Sequence, residues 1–136
     1  MFRSLALFAL LNAAWVSSIA LVPRSNAAVA HVAIPGETDI VNSPDAITVL
    51  VTCTGNNLSG SCVTWTSQTL PVTCTSVVSA GQGDLINSAQ SSSGIECTLF
   101  SGEDCDDTSV LINGTVDNLS TVNFANEAST FSCVSN

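Results

Sequence analysis

Positive charge is nearly absent from this sequence. Its 136 residues include two basic residues, Arg3 and Arg24, against eleven acidic ones, which gives a formal net charge of −9. Such a chain cannot neutralise phosphates, so we expect neither nucleic acid nor an anionic membrane as a partner. Polar residues interrupt the later apolar runs within a few positions, so we also expect no membrane insertion. Because lysine and arginine are so scarce, the carboxylates must be hydrated, accept hydrogen bonds or bind a cation.

Groups suited to acid–base catalysis are equally scarce. The chain has one histidine, His31, and neither lysine nor tyrosine. A serine or cysteine nucleophile needs a base, and His31 lies in a stretch with two prolines, one glycine and no sustained periodicity. The carboxylates of Glu103–Asp107 are adjacent at a turn, whereas glycoside hydrolysis needs two of them across a cleft. We predict that the protein is not an enzyme and requires no cofactor.

The first residues have the pattern of a secretory signal peptide. Arg3 precedes an apolar run over residues 5–16, and small residues follow up to Ala20, where we expect cleavage; Ala28 and Ala30 are later candidate sites. The run is too short to span a membrane. The sequence therefore predicts a secreted, extracellular protein in three parts: a signal peptide over residues 1–20, a linker or loose strand over 21–46 and one domain over 47–136.

Six cysteines lie in the predicted domain, with no Cys-x-x-Cys pair among them. In a small secreted domain this number predicts disulfide bonds rather than a zinc site, and the fifteen pairings that six cysteines allow stay open. Three glycosylation sequons agree with secretion, although chance occurrence is the alternative in a chain rich in asparagine, serine and threonine. The cysteines are Cys53, Cys62, Cys74, Cys97, Cys105 and Cys133, and the sequons begin at Asn57, Asn113 and Asn118.

Short alternating segments from Ile47 onward predict β-strands. In residues 63–66, for example, valine and tryptophan alternate with threonine, and turns rich in glycine, asparagine and serine separate such segments. Residues 53–66 and 97–112 also resemble each other, since each enters through a cysteine, passes a polar turn and leaves through a second cysteine. A serine-rich turn follows each copy. The pattern predicts an all-β sandwich of two Greek keys packed face to face.

Three short motifs within residues 47–133 support a more specific resemblance. Gly60 is placed to close a folded hairpin, and Asn87–Ser92 and Ala125–Thr130 approach a turn of two Asn/Asp residues, two variable residues and a Ser/Thr-Ser pair. The first turn departs from this pattern at its second position, and the second turn departs at its first and last. With the cysteine spacing, these motifs resemble the βγ-crystallin Greek-key family, especially its small, secreted, cysteine-rich fungal members.

The resemblance implies two candidate calcium sites made from exchanged turns. In family members that bind calcium, the turn supplies a side chain at its second position, a backbone carbonyl at its third and a hydroxyl at its fifth, which suits a hard cation. Because the second positions here are neutral, the implied binding is weak. The implied ligands are Ser88, the Ala89 carbonyl and Ser91 in one turn, and Asn126, the Glu127 carbonyl and Ser129 in the other.

Two groups of side chains each have a structural and a functional interpretation. The stretch Glu103–Asp107 corresponds to the folded hairpin of the second motif, and we predict a solvated tip with Cys105 pinning the turn; outer-sphere attraction of calcium is the alternative. Four aromatic side chains on the predicted strands are expected in the core rather than in a sugar-stacking platform. They are Trp65, Phe100, Phe124 and Phe131.

The function that the resemblance implies is that of a monomeric extracellular structural or binding module, with weak calcium binding and an extracellular protein or glycan as partner. An antimicrobial or killer-toxin-like secreted effector is one alternative, because some proteins with a crystallin fold act that way. Its lack of basic residues argues against direct attack on membranes. Protease inhibition is another alternative, which would require a rigid exposed loop.

Overall fold

The computed structural model describes the backbone of residues 29–33 and the whole of residues 45–136; the predicted signal peptide lies outside these residues. Within them the chain forms nine strands and two short 3₁₀ helices, Val78–Ala80 and Leu119–Val122. The strands are β1 (Val29–Ala33), β2 (Ile47–Gly55), β3 (Ser59–Ser67), β4 (Val72–Ser76), β5 (Ser88–Ser91), β6 (Ile95–Phe100), β7 (Ser109–Ile112), β8 (Thr115–Val116) and β9 (Thr130–Ser135). The all-β prediction is confirmed.

Two sheets form the sandwich, and each Greek key contributes to both. The strand order is β1-β3-β2-β5-β8 in one sheet and β4-β9-β6-β7 in the other. The first key, β2 to β5, therefore gives its third strand, β4, to the sheet of the second key. The second key, β6 to β9, returns its third strand, β8, to the first sheet. At the free edge of β3, β1 pairs in parallel with residues 62–66.

Aromatic packing between the two sheets forms the centre of the core. Trp65 on β3 and Phe131 on β9 are fully buried, with ring centroids 4.9 Å apart and a tilted orientation that suits aromatic pairs. Phe124 is buried with them, as predicted. Phe100 is only partly buried, because Leu99 faces the core and the neighbouring position on β6 points to the opposite face. The prediction of a core position is therefore wrong for Phe100.

A chain of hydrogen bonds crosses the buried interior beside Trp65. The indole Nε1 donates to Thr52 Oγ1 at 2.9 Å, and that hydroxyl donates to Gln82 Oε1. The Gln82 amide nitrogen donates to the carbonyl oxygens of Thr52 and Ser61, both at 3.1 Å. Gln82 precedes β5, so its side chain ties that connection to the β2–β3 hairpin. Each of these buried polar groups has a partner, which avoids the cost of leaving it unpaired.

All six cysteines form disulfide bonds, which confirms the predicted framework and selects one pairing. Cys53–Cys62 and Cys97–Cys133 join residues directly opposite each other on adjacent antiparallel strands, β2–β3 and β6–β9. Cys74–Cys105 joins β4 of the first key to the β6–β7 hairpin of the second. This third bond links the two keys covalently and pins the acidic turn, as predicted.

The two cross-strand disulfides should stabilise the fold unequally. Both have a Cα–Cα distance of 4.1 Å, but the cysteines are 9 residues apart in Cys53–Cys62 and 36 apart in Cys97–Cys133. Since the longer loop loses more entropy in the unfolded chain, Cys97→Ala/Cys133→Ala should cost about 4 kcal/mol and Cys53→Ala/Cys62→Ala about 2.5 kcal/mol. Urea unfolding of both variants measures the order, and a larger loss for the short loop would contradict it.

Candidate metal-binding turns

The connections that lead into β5 and β9 repeat the same backbone path. Each passes a 3₁₀ helix that ends at a left-handed residue, Gly81 (φ 73°) or Asn123 (φ 55°). Three residues later, each has a second left-handed residue, Asp84 (φ 54°) or Asn126 (φ 59°). Glycine, asparagine and aspartate are the residues that adopt this conformation most readily. Asp84 therefore corresponds to Asn126.

Reciprocal backbone hydrogen bonds hold the two turns together. Asp84 N donates to Ala128 O at 3.1 Å, and Asn126 N donates to Ile86 O at 2.9 Å. In each bond the donor is the second left-handed residue of one turn, and the acceptor is the residue two positions after the equivalent residue of the other turn. The two turns are therefore related by an approximate two-fold axis.

The residues Asn87 and Ser129 also occupy equivalent places. Asn87 N donates to Cys53 O at 2.9 Å, and Ser129 N donates to Phe100 O at 2.8 Å. The carbonyl oxygens of the same two residues accept hydrogen bonds: Asn87 O accepts from Leu119 N, and Ser129 O accepts from Val77 N. Each of these residues therefore connects its own key's first strand to the residues around a 3₁₀ helix.

Hydroxyl groups at the end of each turn anchor the folded hairpins. Ser88 Oγ donates to Gly55 O at 2.5 Å and accepts from Leu58 N at 3.0 Å. Thr130 Oγ1 donates to Gly102 O at 2.7 Å. Gly60 closes the first hairpin as predicted: its φ is 78°, and a Cβ there would lie 2.7 Å from Thr54 Oγ1. The last position of the turn motif is therefore Ser88 in the first key and Thr130 in the second.

This equivalence moves the register of the first turn by four residues. Asn126, Glu127 and Ser129 lie on the second turn, where the sequence places them, and their counterparts in the first key are Asp84, Leu85 and Asn87. Ser88, Ala89 and Ser91 instead lie on β5. Ser88 Oγ bonds the hairpin, Ala89 pairs with Thr52 and Val116, and Ser91 Oγ accepts from Gly114 N at 2.8 Å.

A signal for the correct register was present in the sequence. The pair Asn87-Ser88 corresponds to Ser129-Thr130, and Asp84 lies three residues after Gly81 as Asn126 lies three residues after Asn123. Alignment on the left-handed positions, rather than on the serine-rich stretch, would have identified Asp84. The similarity between residues 53–66 and 97–112 was misleading in detail, because Cys62 bonds within its own hairpin whereas Cys105 bonds to Cys74.

The first turn pair, made of Asn87, Asn126 and the end of β2, is filled by an amide. Asn87 Nδ2 donates to Thr54 O at 2.8 Å and to Asn126 Oδ1 at 2.9 Å. The same nitrogen lies 3.5 Å from Leu85 O. The oxygens that could ligate a cation already surround a nitrogen, so this donor set does not fit a metal.

In the second turn pair, made of Asp84, Ser129 and the end of β6, the positions equivalent to those around the Asn87 amide carry only oxygen groups. They are the Asp84 carboxylate, the Ser129 hydroxyl, the Glu127 carbonyl and the carbonyl of Ser101, which precedes Gly102 as Thr54 precedes Gly55. This set fits a hard cation. Asp84 supplies the only side-chain carboxylate of this set, and within residues 45–136 no group of three or more His, Cys, Asp or Glu side chains could hold a metal.

The acidic stretch Glu103–Asp107 forms the turn between β6 and β7. Its four carboxylates are exposed, while Cys105 (φ 55°) and Asp107 (φ 61°) adopt left-handed backbone conformations. Gly102 N donates to Asp106 O at 3.3 Å, and a Cβ on Gly102 would overlap the Asp106 carboxylate. The stretch is thus the solvated hairpin tip that the sequence predicts. Its attraction of calcium from the outer sphere stays a prediction.

The three glycosylation sequons lie on turns. Asn57 and Asn113 are exposed, at the β2–β3 and β7–β8 connections. Asn118 is partly buried and caps the second 3₁₀ helix, with its Oδ1 accepting from Ser120 N at 2.9 Å. Surface turns suit N-glycans, and the occupancy of these sites stays a prediction.

The exchanged third strands, the folded hairpins and the paired turns together define the βγ-crystallin domain fold. Solved structures agree. The chain is similar to the N-terminal domain of Protein S, with a TM-score of 0.52, 15% identity and coverage of 64% of this chain and 96% of that one. The chain is also similar to a βγ-crystallin domain from Flavobacterium johnsoniae, with a TM-score of 0.51, 17% identity and coverage of 65% of this chain and 96% of that one.

A third similar structure is a βγ-crystallin domain from Clostridium beijerinckii, with a TM-score of 0.53, 11% identity and coverage of 65% of this chain and 99% of that one. No family model and no curated protein matches the sequence. At these identities the likeness establishes the fold, and ligands must be argued from the residues themselves.

Removal of the Ser88 hydroxyl should weaken the first hairpin. Ser88→Ala leaves Leu58 N and Gly55 O without this partner, which should cost about 1–3 kcal/mol. Ser93→Ala is the matched control, because Ser93 is exposed and such substitutions usually change stability by less than about 0.5 kcal/mol. Urea unfolding compares the two variants. Equal stabilities would contradict the anchoring role of Ser88.

Proposed function

We propose that this protein is a secreted, non-enzymatic structural or binding module that acts outside the cell. The observation that supports this most directly is the pairing of all six cysteines in three disulfides, one of which links the two Greek keys. Such bonds persist in oxidising compartments. The similar solved structures include βγ-crystallin domains, and the described residues include no helix able to span a membrane.

The ligand that we propose is one weakly bound calcium ion at the second turn pair. The support is chemical: a carboxylate from Asp84, a hydroxyl from Ser129 and a carbonyl from Glu127 are the oxygen ligands that calcium prefers. The net charge of −9 adds a general attraction for cations. Since the proposed site has a single carboxylate, we expect a dissociation constant in the range of about 0.1–1 mM that extracellular modules show.

Calcium should therefore raise the unfolding temperature through Asp84. At a calcium concentration about ten times the dissociation constant, binding stabilises the native state by about 1.4 kcal/mol. Asp84→Asn should abolish the response, since asparagine keeps the left-handed turn but removes the only carboxylate. Asp104→Asn removes the same charge from the exposed hairpin tip and is the matched control.

Thermal unfolding in EDTA, calcium and magnesium at fixed ionic strength measures this effect. Wild type and Asp104→Asn should respond to calcium more strongly than to magnesium, and Asp84→Asn should respond to neither. A calcium response that survives in Asp84→Asn would overturn the assignment of the site.

Secretion has its own test, in a eukaryotic host that exports the full chain. The medium should contain protein that begins at residue 21, or after Ala28 or Ala30, carries no free thiol and loses mass on treatment with an N-glycosidase. Variants Asn57→Gln and Asn113→Gln then identify the modified turns. Retention of the full-length chain inside the cell with reduced cysteines would contradict the extracellular proposal.

A further inference from the structure

The two turn pairs share a backbone geometry but differ in the side chains at their centres. The first pair has Asn87 and Asn126 where the second has Ser129 and Asp84. Only the first therefore brings two amides together. Asn87 Nδ2 has Thr54 O at 2.8 Å, Asn126 Oδ1 at 2.9 Å and Leu85 O at 3.5 Å around it.

The partners of the Asn87 amide determine its orientation. A backbone carbonyl such as Thr54 O can only accept a hydrogen bond, so the Asn87 atom that faces it must be the NH₂ group. The same NH₂ group then meets Asn126 through its acceptor oxygen. The two hydrogens of the amide account for the two short hydrogen bonds, and Leu85 O lies farther from the nitrogen, at 3.5 Å.

Converging oxygen atoms need a positive partner. When several carbonyl oxygens point at one centre, their negative ends repel each other unless a cation or a hydrogen-bond donor lies between them. The NH₂ group of an amide supplies two donors without a net charge. In the second pair, Ser129 has one hydroxyl hydrogen and Asp84 has none when it is ionised. The second centre can therefore accept a cation, whereas the first is already satisfied.

We propose that the Asn87 amide is a built-in, uncharged substitute for a cation in the first turn pair. It closes that pair to metal and holds the end of β2 against the second Greek key whether or not calcium is present. The closure of the first pair does not depend on the proposed function. The number of calcium ions per chain, at most one, does rest on the proposed site at Asp84.

The test replaces the Asn87 amide, which donates hydrogen bonds, with a carboxylate that can bind calcium. In the Asp84→Asn background the second pair cannot contribute, so any response to calcium must come from the first. Asn87→Asp replaces the donor with a carboxylate that faces Thr54 O and Asn126 Oδ1. In EDTA this should lower the unfolding temperature by about 5–10 °C, because two hydrogen bonds become repulsive contacts.

Calcium, but not magnesium, should restore at least half of that loss. Asn56→Asp in the same background is the matched control, because Asn56 is exposed and receives the same charge. It should show neither the loss nor the recovery. If Asn87→Asp is as stable as its parent in EDTA, or if calcium restores nothing, the proposal is wrong.

A second variant covers the case in which Asn87→Asp does not fold. Asn87→Ser combined with Asn126→Asp gives the first pair the serine and the carboxylate that the second pair carries, so in the Asp84→Asn background it should acquire a calcium response that the parent lacks. Absence of that response would also overturn the proposal.

Calorimetric titration of wild-type protein with calcium chloride gives an independent result. At most one ion per chain is expected, and two ions would show that Asn87 does not close the first pair. A stoichiometry of zero would disprove the calcium site at Asp84. The variants of Asn87 would then decide by themselves whether the amide closes the first pair.

Discussion

The exchange of third strands between the two Greek keys constrains everything else in this domain. Since β4 belongs to the sheet of the second key and β8 to the sheet of the first, neither key completes its own sheet. The connections that follow the exchanged strands must therefore pass each other, and they meet at the reciprocal hydrogen bonds of Asp84 and Asn126. Buried hydroxyls on Ser88 and Thr130 then hold each folded hairpin against the end of its turn.

Three kinds of interaction stabilise this arrangement, because the apolar core of so small a domain contributes limited stability by itself. The tilted ring pair of Trp65 and Phe131 joins the two sheets through apolar contact, and the bonds of Gln82 satisfy the polar groups buried beside it. The disulfide Cys74–Cys105 then links the exchanged strand β4 to the second key. Small domains gain much of their stability from such cross-links, and the chain has almost no basic residues with which to form ion pairs.

The two turn pairs start from one backbone design and reach different chemistry through two substitutions. Asparagine at position 87 brings its own donor, so the first centre is complete without a ligand. Serine at position 129, with Asp84 across from it, leaves oxygen atoms and a negative charge, which is the environment of a hard cation. A duplicated motif can thus keep one half as a rigid contact and the other half as a candidate for regulation by calcium.

Local patterns in the sequence determined the β-class of the domain, the disulfide chemistry, the exposed acidic hairpin and the second turn. These follow from neighbouring residues: alternation defines strands, glycine and asparagine define left-handed turns, and paired cysteines suit a small domain. Only the tertiary structure decided which cysteines pair, that Phe100 faces away from the core and that Asn87 lies at the fifth position of the first turn, beside Asn126, rather than at its first. The reason is distance along the chain. Asn87 meets Asn126 and Thr54 across 39 and 33 residues, contacts that exist only after both Greek keys have exchanged their strands.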